Sequence, residues 1–506
     1  MKLSANAQTV LENRYLLKNN AGQLIETPAG LFRRVARAIA KNGKEKRQFY
    51  DLLSRLEFLP NSPTLMNAGT ALGQLSACFV LPVEDALASI FDTLKHAALI
   101  QQSGGGTGFS FSRLRPKDDL VKSTHGVASG PVSFMRIYNA ATDVIKQGGK
   151  RRGANMGILS VHHPDIVEFI TAKQAGRELS NFNISVAITD RFMRAVEEKE
   201  KYDLINPRNN KTVKRVPASA LFDLLAETAW RTGDPGMIFI DEINRRHPAR
   251  RFGEIEATNP CGEVPLLPYE SCNLGSINLV KMLREKEIDF PKLERTIGGA
   301  VQFLNNVIDK NIFPLPEIKQ ATLRTRKIGL GVMGFAEMLI EMGIRYDSEA
   351  ALTIGEKLMS FIYSTARRIA RRNATVCTIA PTGSISLIAD CSSGIEPLFA
   401  KQFVKEVLGG IRLQHKLETR QKAAVVTALE IAPEWHVRMQ AAFQNYVDNA
   451  VSKTVNLPEK ATVADVRKIF LLAYRLKCKG ITIYRYNSKK EQVLYVEDSG
   501  CAECKL

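Results

Sequence analysis

Apolar residues recur at helical spacing through the start of the chain, with Leu31, Val35 and Ile39 and then Leu52, Leu53 and Leu56 on shared faces. That spacing predicts an N-terminal helical segment over 1–58. Beyond residue 60 the period changes. Short apolar runs alternate with glycine-rich turns: Cys78-Phe79-Val80-Leu81 stops at Pro82, and Phe109-Ser110-Phe111 follows Gly104-Gly105-Gly106. Similar runs stand at Ile184-Ser185-Val186-Ala187, Met237-Ile238-Phe239-Ile240 and Val376-Cys377-Thr378-Ile379, and helical periodicity covers 218–232, 291–309 and 349–372. Strands alternating with helices predict βα units on a largely parallel sheet. The expected architecture is one large α/β domain over 59–488, preceded by helices and followed by a polar, flexible tail over 489–506. No internal repeat or low-complexity segment interrupts it.

At 506 residues the chain exceeds the usual single core, and a large α/β barrel accommodates that length. No apolar run reaches the ~18 residues needed to cross a bilayer. The N-terminus lacks a signal peptide's basic start, apolar centre and small-residue cleavage site, so a cytoplasmic protein without membrane association is expected. The net charge of +18 favours anionic partners. The cations are scattered, however, in short groups such as Lys150-Arg151-Arg152, Arg245-Arg246 and Arg367-Arg368. No nucleic-acid-binding signature accompanies them, so a basic but non-specific surface is the leading reading, local phosphate-facing clusters are the alternative, and no specific nucleic-acid role is expected.

Eight cysteines are too few for a disulfide scaffold and read as redox or metal chemistry. In Asn259-Pro260-Cys261-Gly262-Glu263, proline and glycine deny Cys261 regular structure and place it at a loop tip. If the segment is extended, Glu263 points the same way as Cys261, aiming a sulfur and a base at one small substrate. Alone, such a pair is a weak signal, since an inert buried thiol is the commoner case. Pro381-Thr382-Gly383-Ser384-Ile385-Ser386 follows an apolar run and opens a predicted helix, where free N–H groups and hydroxyls suit phosphate, although an ordinary strand-to-helix turn has the same look. Cys501 and Cys504 form a C-x-x-C pair in the tail; with no second pair nearby for zinc, a redox shuttle is the better reading. Cys377, Cys391 and Cys478 lie in or beside apolar runs and read as structural. His162 and His163 lack carboxylates at ligand spacing, and no Glu-x-x-His pair offers a di-iron site.

The string NPCGE, followed after seven residues by SCNLGSINL, resembles the radical-bearing finger loop of ribonucleotide reductases. Collinear blocks extend the resemblance over about residues 10 to 504. Asn61-Ser62-Pro63-Thr64-Leu65-Met66-Asn67 through Leu75-Ser76-Ala77-Cys78 resembles the family's first active-site strand, and APTGSIS (380–386) its phosphate-binding turn. GGKRRGAN (148–155) is similar to the loop linking effector and substrate sites, and KGITIYR (479–485) to the last barrel strand. The resemblance implies a ten-stranded α/β barrel of two five-stranded parallel half-barrels around a central finger loop. By matched position it makes Cys261 the thiyl radical that takes the 3′ hydrogen, and Glu263 the base for the 3′ hydroxyl. Asn259 holds the 2′ hydroxyl, Cys78 protonates it as it leaves, and Cys78 with Cys272 ends as a disulfide. Thr382, Gly383, Ser384 and Ser386, with Ser62, are the implied phosphate ligands.

The resemblance also bears on how the radical starts. Where a two-chain enzyme carries adjacent tyrosines, this sequence has Tyr484-Arg485, and a C-terminal glycyl-radical motif is missing. Adenosylcobalamin is the cofactor thereby implied, and LSACFVLP with PEWHVRMQAAFQ (433–444) is most similar to that class. A large subunit served by a separate radical-generating chain, and an inactive nucleotide-binding regulator, are the competing readings. Contractions are expected near 367–373 and 404–428, and no regulatory ATP-cone precedes the helices. Asp85, Arg113, Arg115 and Lys122 lie where the family binds a deoxynucleotide effector across a homodimer, with 147–155 as relay. A ribonucleotide substrate, diphosphates rather than triphosphates, and a thioredoxin-like or glutaredoxin-like reductant complete the expectations.

Overall fold

The computed structural model describes residues 3–121, 125–147, 151–174, 178–407, 410–488 and 494–496. Helices Ala5–Arg14, Pro28–Ile39 and Gly43–Ser54 open the chain, each capped by a side chain: Ser4, Thr27 and Asn42 accept from the first turn's N–H groups. Their apolar faces join one core cluster with the long helices Phe290–Lys310 and Glu349–Ile369. These elements sit where sequence periodicity places them, as does helix Ala218–Thr232.

Among the described residues, nine strands form the central layer. β1 (Cys78–Leu81), β2 (Gly106–Ser110), β3 (Asn155–Ser160), β4 (Phe182–Ile188) and β5 (Gly236–Phe239) pair in that order, all parallel. β6 (Ser271–Asn278) pairs parallel with β7 (Ile328–Met333), and β8 (Thr454–Leu457) pairs parallel with β9 (Gly480–Arg485). The extended segment 376–379 lies between these pairs, through parallel bridges Leu330↔Cys377 and Ile379↔Val451. Two antiparallel seams, β1 with β6 and β5 with β9, join the halves, so the pairings run round in a circuit of two five-membered parallel sets. A short strand, Phe58–Pro60, runs antiparallel along the outside of β6.

Segment 376–379 makes bridges rather than a full ladder: Thr378 and Ile379 donate to the neighbouring Leu330 and Ala450 carbonyls, but the first two N–H groups are taken by a side chain. The Asp448 carboxylate accepts from the N–H of Val376 at 2.9 Å and of Cys377 at 2.8 Å. The predicted run Met237–Ile240 ends one residue early, since Ile240 opens helix Ile240–Arg245 with Asp241 and Glu242 in its first turn.

Strand alternation divides the core. Phe79 and Leu81 face the outer helices, whereas Cys78 and Val80 face a small inner cluster with Met156, Ile158, Cys272 and Leu274. Into that interior reaches a two-stranded hairpin, Ala257–Thr258 with Pro265–Leu266. Glycine in β2 makes room for it: a Cβ on Gly108 would stand 1.7 Å from the Thr258 carbonyl oxygen. Elsewhere Leu494–Val496 pairs through Phe403–Lys405 with the hairpin 402–416. No helix among the described residues is long and apolar enough to cross a membrane.

Candidate functional site

The hairpin tip carries Asn259, Cys261 and Glu263. Sequence reasoning placed the latter two on one side of an extended segment, but the chain turns instead. Gly262 takes φ +79° and donates its N–H to the Asn259 carbonyl at 3.0 Å, closing a tight turn through Pro260 and Cys261. The Asn259 side chain locks the turn, its Oδ1 accepting from the Val264 N–H at 2.9 Å. Cys261 is thereby exposed and Glu263 buried, yet both line one cavity of about 220 Å³.

That cavity also takes in Cys78, Asn259, Ser62, Thr382, Gly383 and Ser384. Asn259 Nδ2 donates to Cys78 Sγ at 3.1 Å. Cys78 and Cys272, both reduced, are register partners across the seam of β1 and β6. Directly opposed residues of an antiparallel pair hold their Cβ atoms about 4.5–5.5 Å apart, so small shifts suffice for a disulfide. Burial pushes both thiols well above the usual range; for Cys78, Glu263, Cys272 and Cys261 add to the effect. Burial likewise raises the Glu263 carboxyl to about 7, against a lowering hydrogen bond from Asn259. Its Oε2 is buried with no hydrogen-bond partner among the described residues.

On the other side of the tip lies a second cavity, about 480 Å³, within the range of small-molecule sites. Cys261 lines both. Met156, Ile238 and Ile483 supply apolar wall, and Asn183, Ser185 and Gln440 supply neutral polar groups. Gln440 donates to the Gly480 carbonyl at 2.7 Å, while its buried Oε1 has no partner among the described residues. Tyr484 faces this cavity; Arg485 instead covers the Trp230 ring at 4.2 Å.

These features match a known family. Models described as the all-alpha domain and the barrel domain of ribonucleotide reductase match residues 1–73, and 76–371 with 367–484. The chain belongs to the ribonucleotide reductase family. A vitamin B12-dependent ribonucleoside-diphosphate reductase of Thermoplasma acidophilum is 47% identical over 627 aligned residues, covering 100% of this chain and 81% of the relative. One from Mycobacterium tuberculosis (strain CDC 1551) is 49% identical, over 98% of this chain and 81% of the relative. A vitamin B12-dependent ribonucleotide reductase of Streptomyces coelicolor is 30% identical over 92% of this chain and 63% of the relative. The two barrel matches meet at 367–371, where a contraction was expected and where helix Glu349–Ile369 leads almost directly to 376–379.

Other expected residues fall differently. The helix after the phosphate turn is Ile385–Ile388, too short for a strong dipole. Ser386 Oγ lies 3.2 Å from Ser393 Oγ and lines a neighbouring cavity, apart from Ser62, Thr382 and Ser384. Asp85 and Arg115 form an ion pair at 2.8 Å, and Arg113 pairs with Glu84 and Glu256. Lys122, Cys501 and Cys504 lie outside the described residues, as do 148–150 of the relay segment. Cys377 and Cys478 are fully buried in the core, whereas Cys391 is partly exposed beside the Ser386 cavity. His163 is buried, accepting from the Asp165 N–H and facing the Leu114 carbonyl at 2.8 Å.

Several contacts had no sequence signal. Thr378 Oγ1 shares its one proton between the Glu263 carbonyl at 2.8 Å and that of Ala450 at 3.0 Å, tying the finger to the barrel. A fully buried ion pair, Lys327 with Glu270 at 2.7 Å, braces the hairpin base, with Lys327 Nζ 3.4 Å from the Pro265 carbonyl. Each joins residues far apart in sequence, so spacing cannot reveal them.

Proposed function

We propose that this chain reduces ribonucleoside diphosphates to 2′-deoxyribonucleotides for DNA synthesis, by a thiyl radical on Cys261 and with adenosylcobalamin as cofactor. The observation that carries the reading is the place of Cys261, at a turn between two cavities with a carboxyl, an amide and two opposed thiols on one side. The relatives' dependence on vitamin B12 and the replacement of a tyrosine pair by Tyr484-Arg485 support the cofactor. The 480 Å³ cavity suits its nucleoside portion, whose amino or hydroxyl donors complement Gln440 Oε1. When bound, the cofactor supplies homolysis of a cobalt–carbon bond.

The remaining chemistry falls to the chain. In its thiyl form Cys261 takes the 3′ hydrogen of the ribose, and the Glu263 carboxylate accepts the 3′-hydroxyl proton. Asn259 hydrogen-bonds the 2′ hydroxyl, which leaves as water with the proton of Cys78. The Cys272 hydrogen goes to C2′ as Cys78 and Cys272 give two electrons and close a disulfide; Glu263 then returns its proton to O3′ and Cys261 the hydrogen to C3′. Ser62, Thr382 and Ser384 hold the phosphates, with Gly383 allowing close approach. Cys501 and Cys504 then reduce the internal disulfide and pass the oxidation to a thioredoxin-like or glutaredoxin-like protein.

The working form is a homodimer of the cytoplasm. Helices Leu87–Gln102 and Pro131–Val144 leave Leu87, Phe91, Leu99, Ile137 and Val144 exposed, an apolar surface that suits a second copy. A deoxynucleotide effector binds near Asp85, Arg113, Arg115 and Lys122, competing with the carboxylates that now hold the two arginines. CDP reduction by the purified chain with dithiothreitol, with and without adenosylcobalamin, tests the core reading. Turnover that requires the cofactor and vanishes in Cys261→Ser is expected. No turnover by a folded protein on CDP or CTP would instead point to a separate radical-generating chain.

A further inference from the structure

The phosphate end of the 220 Å³ cavity is finished from outside the barrel. Helix Ala5–Arg14 lies across the turn that carries Thr382, Gly383 and Ser384. Ser4 Oγ donates to Asp390 at 2.5 Å and Asn6 Nδ2 to the Gln414 carbonyl at 2.8 Å, fixing the start of the helix. Its other end meets the cavity wall. Arg14 Nη1 donates to Ser384 Oγ at 2.5 Å, and the Tyr15 hydroxyl lies 2.7 Å from Ser62 Oγ. Arg14 and Tyr15 are both buried, at 8% and 1% exposure. Two consecutive residues thus engage two hydroxyls that lie more than 300 positions apart in the chain, Ser62 at the start of helix Ser62–Asn67 and Ser384 in the phosphate turn.

We propose that Arg14 and Tyr15 are positioning residues for the phosphates of the nucleotide substrate. The inference rests on the reading of this cavity as the ribonucleotide site. A serine hydroxyl has one proton and two acceptor positions. When Arg14 fills an acceptor position of Ser384, the Ser384 proton is turned away from the helix and toward a phosphate oxygen in the cavity. The Tyr15 hydroxyl also limits the rotor of Ser62, whichever of the two donates. Arg14 also acts through its charge. A helix C-terminus carries roughly −0.5 of an elementary charge, repulsive to phosphate, and an arginine in the last turn offsets it. The ligand class recognised is therefore a polyphosphate tail, and the contribution belongs to binding rather than to the radical steps.

The test compares wild type with Arg14→Ala, Arg14→Lys, Tyr15→Phe and Ser384→Ala, each checked for an unchanged melting temperature. Two quantities are read: kcat and KM for CDP, and the calorimetric Kd of inorganic pyrophosphate. For Arg14→Ala, KM and the pyrophosphate Kd should each rise about tenfold, with kcat within threefold; tenfold corresponds to ~1.4 kcal/mol. Arg14→Lys should recover part of the loss through its charge, and Tyr15→Phe should shift KM by a smaller factor. The Arg14→Ala, Ser384→Ala double variant should lose less than the product of the singles, because one contact is shared. Unchanged KM and pyrophosphate affinity in Arg14→Ala, or a fall confined to kcat, would overturn the proposal. Wild type failing to reduce any ribonucleotide would instead defeat the functional reading, and the pyrophosphate arm would still decide the role of Arg14.

Discussion

The two cavities flanking Cys261 differ in chemistry more than in size. The smaller one gathers groups that exchange protons or meet phosphate, among them Glu263, Cys78, Asn259, Ser62, Thr382 and Ser384. The larger is walled by strand residues and neutral amides, and its Asp234 and Lys453 are engaged by Lys173 and Glu396. A homolytic bond cleavage separates no charge, so its chamber needs shape and exclusion of water. Loss of a hydroxyl as water needs an acid and a base poised nearby. Pro260, Cys261 and Pro381 line both chambers, and of these only Cys261 brings a reactive group, its sulfur. On the function proposed above, the radical-forming and the ribose-reducing steps would fall on opposite faces of one loop.

Removing the shared sulfur breaks the comparison outright. Cys261→Ser should abolish ribonucleotide reduction, with no product above background, while leaving the melting temperature within a degree or two because the side chain is exposed. Next in size is Glu263→Gln, for which general-base loss predicts a fall of about 10²–10⁴ in kcat. The free-enzyme carboxyl titrates near 7, so wild-type kcat/KM should fall as pH drops through about 7, and the Gln variant should lose that limb. Stability runs the other way. Because the folded pKa is raised, the stability tied to Glu263 is complete at pH 4 and declines as pH rises through about 7. Glu263→Gln should therefore melt higher than wild type at pH 8. A variant with full activity, or one that melts lower at pH 8, would break the assignment of a buried base to this face.

How much of this contrast could be read in the chain varies from residue to residue. Asn259, Cys261 and Glu263 are contiguous, so their grouping was legible; their geometry was not, since a turn at Gly262 replaces the extended segment. Cys78 and Cys272 lie nearly 200 positions apart, and family resemblance alone paired them before the β1–β6 register did. Strands such as 184–187 and helices such as 218–232 followed from period, because burial on one face fixes the pattern. Segment 376–379 was legible as an apolar run, but not its dependence on Asp448, a contact across 70 residues. Arg14, Tyr15 and Thr378 carry no local signature. Their hydroxyl and guanidinium contacts arise from packing, which single-chain periodicity does not encode.

Two substitutions away from the reacting groups sharpen the comparison by moving the wall itself. At Gly108 an added Cβ would meet backbone, the Thr258 oxygen at 1.7 Å and its carbon at 2.8 Å, so the finger must shift. Gly108→Ala should cost about 1–3 kcal/mol by overpacking. Displacement of the turn by about an ångström should lower kcat by roughly 10²-fold. The decisive readout is that kcat falls much further than stability. Stability loss with full kcat would show that the finger's position within the barrel is not critical.

The smallest effect expected is at Thr378, whose hydroxyl ties the Glu263 carbonyl to the strand behind it. Thr378→Val keeps the shape and removes the donor. Both acceptors retain a backbone partner: the Glu263 carbonyl accepts from the Ala450 N–H at 2.9 Å, and the Ala450 carbonyl from Ile379 at 3.2 Å. Neither is orphaned, so the cost should stay near 1 kcal/mol, read as a lower urea midpoint at unchanged slope. Glu263 would sit less firmly on the substrate side, and kcat should drop about threefold to tenfold. The pH limb near 7 should stay, because burial sets that titration and an isosteric substitution leaves the burial unchanged. Loss of that limb with intact folding would mean that Thr378 shapes the carboxyl's surroundings directly, and that the boundary between the chambers extends further into the barrel wall than the turn alone.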